Sequence, residues 1–325
     1  MKSIALLILL LSMTAPKPTL SAELTDHYFG SSPECRMAAQ PVLLVTDLTV
    51  TGEIDDSISM HVYRQLELRG CVSIIGVVSI FGNGKSTTAA IHRNVERRLP
   101  DLGGGEWRRL RGPDERYTTV LNRRGETQAD IARLEAIAAV IRTAAGPVVI
   151  AELGPVTVSA RLLAGGYLDR SDVRMILGVG GRMGDESFAT DRRLGRFFAF
   201  RDKNVAEDVW GQDYLIRTHP DRLWMVTYRT GIAKREVSAR QVAAAIPALA
   251  AHAKARARVL RLIGFEGIPT WDTWTTGFFL RGGDSQLGCR PLRARMAATA
   301  GGPDTMRLIL GQGGRRITAC TDVAG

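Results

Sequence analysis

The chain has 325 residues, 45% of them hydrophobic, and a formal net charge of +10. This length and apolar content suit one large α/β domain or two small ones and exclude a disordered chain. A concentrated positive charge would attract nucleic acid or an anionic membrane, but the arginines are scattered without interleaved aromatic residues. We therefore expect a solvated basic surface and no nucleic-acid partner.

The N-terminus predicts an export signal. Lys2 precedes an apolar run from Ile4 to Leu11, and the small residues Ser21 and Ala22 offer a cleavage site. The run is too short for a stable anchor, so we expect a signal peptide over residues 1–22 and no integral membrane span. The mature chain, residues 23–325, is then a single periplasmic or secreted domain. An uncleaved anchor or a lipoprotein is the alternative, although no cysteine follows the run.

The four cysteines include no CxxC pair. In an oxidising compartment, this pattern favours two disulfides over a metal site or a reactive thiol. Four cysteines allow three pairings, of which we favour Cys35–Cys71 with Cys289–Cys320.

Short apolar runs alternate with longer amphipathic ones along the chain. The predicted strands are 41–47, 72–80, 147–153, 173–181 and 222–228, and the predicted helices are 55–70, 85–99, 127–146, 155–166 and 203–219. This alternation predicts βαβ units and hence an α/β, Rossmann-like fold, in which helices cover both faces of a largely parallel central sheet. The Gly- and Arg-rich segments 99–125 and 182–196 are expected to be surface excursions.

The loop after the second predicted strand, "GNGKST", is similar to a P-loop. A P-loop places a glycine five residues before its Gly-Lys pair, and Ser79 occupies that position. We therefore expect no ATP site here.

Carboxylates gather where the first predicted strand ends. Asp47 follows its apolar run, and Asp55 and Asp56 begin the next helix. An isolated Asp-Asp pair at a helix start is usually a cap, but three acidic groups in a small space repel each other unless a cation lies between them. Such oxygen ligands suit Ca²⁺ or Mg²⁺.

Other strand ends and helix starts add oxygen atoms to the same predicted edge of the sheet. Asn83 follows the second strand, the turn at Leu153-Gly154 follows the third, and Asp272 lies between two tryptophans at a helix start. Ligands of α/β sheets bind at the carboxyl ends of the strands. The pattern therefore predicts a hard-cation site with a polyol-binding surround.

The order of these motifs resembles the inosine-uridine-preferring nucleoside hydrolase family. The family's Asp-Thr-Asp strand end and following Asp-Asp look like "VTD" and "EIDDSISM", and its Gly-Asn with a later Arg-Asn looks like "GVVSIFGNGKSTTAAIHRNVERRL". Its Thr-Gly-Pro-Leu-Thr-Asn is similar to "ELGPVTVSARLL", and its late His-Asp-Pro is similar to "TWDTW". The similarity covers residues 41–280 in the family's order.

The resemblance implies a nucleoside hydrolase-like fold with one bound Ca²⁺. Its implied ligands are Asp47, Asp56, Asp272 and the backbone carbonyl of Leu153. Asp47 would also be the general base that takes a proton from water.

The same resemblance implies the reaction. Asp55 and Asn83 would hydrogen-bond the sugar hydroxyls while the N-glycosidic bond of a ribonucleoside is hydrolysed to ribose and free base. The partner would be a small-molecule nucleoside, and the family's general oligomerisation makes a homo-oligomer an open expectation.

Departures from the family pattern favour a second hypothesis. Trp271 replaces the histidine of the leaving-group side, and Trp271 and Trp274 would either stack on a purine or pack in the core. Phe198 is the best match to an expected sugar-binding asparagine, and an ungapped alignment places Thr51 rather than Asp47 at the base position. The alternative is therefore a catalytically impaired nucleoside- or sugar-binding protein of the same fold.

Overall fold

The computed structural model describes residues 23–30, 33–49, 54–82, 86–123, 125–183, 202–227, 230, 236–262, 264–299 and 302–321. Within these residues, ten strands form one sheet. They are β1 Gln40–Thr46, β2 Val72–Ser79, β3 Arg109–Arg111, β4 Val148–Glu152, β5 Val173–Val179, β6 Arg182–Met183, β7 Leu223–Val226, β8 Cys289–Thr299, β9 Gly302–Leu310 and β10 Arg315–Cys320.

The sheet has the strand order β3-β2-β1-β4-β5-β7-β10-β8-β9-β6. All neighbours from β3 to β10 pair in parallel, whereas β8 pairs antiparallel with both β10 and β9. The expected α/β fold with a mostly parallel sheet is confirmed.

Helices pack on both faces of this sheet. They are α1 Glu23–Phe29, α2 Asp55–Leu68, α3 Thr88–Arg98, α4 Tyr117–Arg123, α5 Gln128–Arg142, α6 Thr157–Ala164, α7 Lys203–Glu207, α8 Val209–Thr218, α9 Ala239–Ala245, α10 Ala250–Leu262 and α11 Gly283–Gln286, with a 3-10 helix over Asp272–Phe279. The apolar run of β1 is continuous because both faces of the strand are buried. Val42 and Leu44 belong to one hydrophobic cluster, and Leu43 and Val45 belong to the other.

Two predicted elements differ from the structure. The helix predicted over 203–219 is interrupted at Asp208, whose backbone leaves the helical region and whose side chain accepts a hydrogen bond from Gly211 N to cap α8. The predicted excursion 99–125 contains β3 and α4, so part of it extends the sheet. Most of the predicted excursion 182–196 lies outside the described residues.

Both favoured disulfides are present. Cys35 is bonded to Cys71 and Cys289 to Cys320, as predicted. Two disulfides are consistent with a secreted protein. The predicted signal peptide, residues 1–22, lies outside the described residues, and among the helices that are described, none has the length and apolar content to span a bilayer.

Candidate active site

Three buried carboxylates meet at the carboxyl edge of the sheet. One oxygen from each of Asp55, Asp56 and Asp272 lies within 4.8 Å of the others. The three residues are 5%, 2% and 4% exposed. Asp55 and Asp56 form the first turn of α2, where the helix dipole favours negative charge.

Helix α2 packs against the 3-10 helix Asp272–Phe279 and thereby fixes the position of Asp272. Ser59 Oγ lies 2.9 Å from Thr273 Oγ1, and Tyr63 OH lies 2.9 Å from Thr275 Oγ1. These buried hydroxyl pairs join two segments that are distant in the sequence.

Strand β1 holds one member of this acidic cluster from the other side. Thr46 Oγ1 donates a hydrogen bond of 2.5 Å to Asp56 Oδ1 and accepts one of 3.1 Å from Leu48 N. The Asp56 carboxylate is therefore oriented by the last residue of β1.

Asp47 lies next along the chain and is 4% exposed. Two glycines pack against its side chain, because a Cβ added to Gly82 would lie 2.1 Å from Asp47 Oδ2 and one added to Gly154 would lie 3.2 Å from Asp47 Cβ. Gly82, with φ +155°, is also in a conformation that other residues rarely adopt. The structure thus places Asp47 beside the ends of β2 and β4, whereas the 4.8 Å cluster consists of the other three aspartates.

The backbone at Leu153 lies at the same edge. Leu153 N donates to Val45 O at 2.8 Å, which ties the end of β4 to β1. Its carbonyl oxygen, the predicted fourth ligand atom, lies 3.4 Å from Asn204 Nδ2.

Asn204 is a polar residue of this edge that sequence reasoning missed. It lies in the first turn of α7, whose N-cap Asp202 accepts hydrogen bonds from Val205 N and Gly181 N. The expected sugar-binding amide had Phe198 as its best match, and Phe198 lies outside the described residues. The available signal was an asparagine two residues after a helix-capping aspartate.

Glu152 is a second residue that sequence reasoning missed. It ends β4, is fully buried, and accepts hydrogen bonds from Ser159 N and Ser159 Oγ. Burial raises the pKa of this carboxyl to about 8, so it is largely protonated at neutral pH and adds little charge beneath the site. A glutamate within an otherwise apolar strand was the signal.

The two tryptophans differ in their surroundings. Trp274 is 2% exposed and its ring contacts Tyr28 and Phe29 edge-on, with centroids 5.0 and 5.7 Å away. Trp274 therefore packs in the core, which is one of the two alternatives expected for the tryptophans. Trp271 is partly exposed and lines a small pocket together with Asp55 and Arg256.

A cavity of about 650 Å³ opens beside the end of β2. Phe81 and Gly82 line it, and the Arg116 guanidinium lies 5.8 Å from the centre of the Phe81 ring and pairs with Glu207. Gly82 lines this cavity and also packs against the side chain of Asp47. Asn83, the predicted sugar ligand at this position, lies outside the described residues.

The acidic cluster fits a divalent cation. Three carboxylates with so little solvent would repel one another strongly if all were ionised, and a cation among them offsets that repulsion. Because the donor set consists of oxygen atoms alone, it suits a hard cation rather than zinc or copper.

No protein-family model matches the chain, and no curated protein matches it in sequence. Solved structures do match it. A purine-preferring ribonucleoside hydrolase from Gardnerella vaginalis has a TM-score of 0.61 at 16% identity, over 88% of this chain and 94% of that one. An inosine-uridine preferring nucleoside hydrolase from Bacillus anthracis has a TM-score of 0.57 at 14% identity, over 87% and 94%.

A third similar structure is the type III effector protein XopQ complexed with adenosine diphosphate ribose. Its TM-score is 0.52 at 16% identity, over 91% of this chain and 92% of that one. At these identities the likeness establishes the fold, and the chain has the nucleoside hydrolase fold.

Proposed function

We propose that the protein is an exported, Ca²⁺-dependent hydrolase of the N-glycosidic bond of ribonucleosides, related through its sequence motifs to the inosine-uridine-preferring family. The observation that carries this proposal is the convergence of Asp55, Asp56 and Asp272, from two distant segments, at the carboxyl edge of a nucleoside hydrolase fold. The mature chain, residues 23–325, would form a single domain after removal of the signal peptide, residues 1–22.

The proposed Ca²⁺ ligands are Asp47, Asp56, Asp272 and the backbone carbonyl of Leu153. The contact of Thr46 with Asp56, and the packing of Gly154 on Asp47, support this choice because they orient these groups toward one edge. The bound cation would attract the sugar hydroxyls and lower the pKa of a nearby water.

The remaining steps belong to the chain's own residues. Asp47 removes a proton from the attacking water, which adds to the anomeric carbon as the bond to the base breaks. Asp55 and Asn83 hydrogen-bond the sugar hydroxyls and hold the ring while positive charge develops on it. The Asn204 amide, beside the Leu153 carbonyl, is placed to assist them.

The leaving base has no histidine at Trp271 to protonate it. Trp271, partly exposed beside Asp55, instead presents an aromatic face on which a purine can stack. The base then leaves either as an anion that stabilises the electron pair of the broken N-glycosidic bond or after taking a proton from solvent. We therefore expect purine nucleosides to react faster than uridine.

The deciding experiment incubates the mature protein with a panel of nucleosides and measures free base, with and without a calcium chelator. We expect the protein to release free base and the chelator to abolish that release. Asp47→Asn should lower the rate by about 10²- to 10⁴-fold, and its melting temperature in chelator should be unchanged. The matched control is Asp101→Asn, at a surface position with 45% side-chain exposure. Full activity in Asp47→Asn would exclude Asp47 as the base.

A nucleoside- or sugar-binding protein without turnover is the second candidate. Trp271, which cannot donate a proton to a leaving base, is the observation that favours it. The same panel separates the two candidates, because metal-dependent binding by calorimetry with no release of base would establish binding alone.

A further inference from the structure

Helix α10 has an exposed face that the fold does not use. Ala253 and Leu260 are its buried residues and pack into the hydrophobic core. On the opposite side, Leu262 is 84% and Val259 is 54% exposed. The described residues contain four exposed large hydrophobic side chains, and α10 carries two of them.

The exposed face is divided into two strips. At 3.6 residues per turn, the apolar strip covers an arc of about 80° and the adjacent cationic strip an arc of about 60°. The apolar strip consists of Ala251, Ala255, Val259 and Leu262, and the cationic strip of Lys254, Arg258 and Arg261, all of them exposed.

The cationic strip lacks an acidic partner among the residues that the structure describes. Between Glu236 and Glu266 the sequence contains five Lys and Arg residues and no Asp or Glu. Among the described residues, Lys254, Arg258 and Arg261 form no ion pair. Positive charge and apolar surface therefore face solvent side by side.

We propose that α10 docks the protein on an anionic membrane surface. A phosphate backbone of nucleic acid would use the cations but not the apolar strip, whereas a bilayer uses both. The apolar side chains enter the boundary between headgroups and acyl chains, and the neighbouring cations contact lipid phosphates. At 13 residues, α10 is about 20 Å long and lies flat on the surface. This inference is independent of the proposed hydrolysis.

The test is co-sedimentation of the mature chain with phosphatidylcholine vesicles that contain two-fifths phosphatidylglycerol, at low salt. The triple variant K254Q/R258Q/R261Q should partition on the order of 100-fold more weakly, since each basic residue near an anionic surface contributes about a factor of five. The double variant V259S/L262S should weaken partitioning by about tenfold.

The matched control removes the same number of charges elsewhere. Arg293, Arg295 and Arg316 are exposed on the C-terminal strands, so R293Q/R295Q/R316Q leaves the same net charge as the helix variant. It should change partitioning by less than about threefold. Near-UV circular dichroism of each variant checks that the fold is retained.

Several outcomes would overturn the proposal. They are no binding of the wild type at low salt, equal loss in the two triple variants, and equal binding to pure phosphatidylcholine. Binding to a DNA duplex that only the helix variant loses, with vesicle binding unchanged, would assign the face to nucleic acid instead.

Discussion

Two buried clusters of charged side chains in this molecule are built in opposite ways. Arg161 is fully buried, and its guanidinium pairs with Glu126 and, at 3.0 Å, with Asp130. At the carboxyl edge of the sheet, the acidic cluster of Asp55, Asp56 and Asp272 instead gathers like charges. The first cluster contains its own counter-charge, whereas we propose that the second takes a cation from solution. The difference separates a structural charge network from a binding site.

The two clusters should therefore respond to mutation in opposite ways. Removing one partner of a buried ion pair leaves an uncompensated charge, which is strongly destabilising. Removing one charge from a cluster of like charges relieves repulsion. Stability and activity should thus be affected separately in the two regions.

The largest expected effect follows from neutralising the acidic cluster. The double variant Asp56→Asn with Asp272→Asn should lower base release by on the order of 10³-fold or more, because the cation contributes several kcal/mol. Calcium should no longer raise its melting temperature, which differential scanning calorimetry measures. In chelator, the variant should be at least as stable as the wild type. A calcium-induced shift as large as that of the wild type would contradict the site.

The next largest effect is expected at Arg161, where substitution should reduce stability without reducing the rate of base release per folded molecule. Arg161→Met should lower the free energy of unfolding by about 3 kcal/mol. The carboxylate of Glu126 loses its buried partner, whereas Asp130 keeps Arg133 at 2.8 Å. Urea denaturation measures this change. Arg217→Met, with a side chain 64% exposed, is the control and should cost less than about 0.5 kcal/mol. A large fall in base release per folded molecule would show that the two clusters are not separate.

A smaller effect is expected from His61, which tolerates burial by remaining neutral. It is fully buried in α2, and desolvation lowers its pKa from 6.5 to about 4. The unfolded chain binds this proton between pH 6.5 and 4 and the native chain does not, so stability falls as the pH is lowered through that window. Urea unfolding of the wild type should lose about 2 kcal/mol more than His61→Gln between pH 7 and 5. Equal losses would refute the shift.

Five strands of the parallel part, β1, β2, β4, β5 and β7, were predictable from the sequence, whereas β3, β10 and the antiparallel strands were not. Strand β4 is buried at every residue, and its first four residues, Val148 to Ala151, form a continuous apolar run. In β8, Leu292, Ala294 and Met296 contact the core while Arg293 and Arg295 are exposed. Because a half-exposed strand alternates apolar and polar residues, β8 has no continuous apolar run that would identify it in the sequence.

The acidic residues of the site were predictable because strand ends and helix starts share an edge in α/β sheets. Asp272 was expected at this edge because it starts a helix, but its position beside α2 depends on packing between distant segments, which the sequence does not show. Asn204 was missed because it follows no apolar run of a predicted strand. Glu152 ends such a run, but the sequence does not show which residue its side chain contacts. The contact of Asn204 appears only when α7 lies against the end of β4, and that of Glu152 only when Ser159 of α6 folds back on β4.

The place of β10 in the sheet constrains how the protein reaches its native state. This last strand lies between β7 and β8, so the outer strands β8, β9 and β6 are joined to the remaining sheet only through it. Residues 315–320 must therefore emerge from the ribosome before the sheet can close, and no partial chain can complete it. A chain whose sheet stays incomplete until these residues are made would remain competent for threading through a translocation channel, which suits the proposed export.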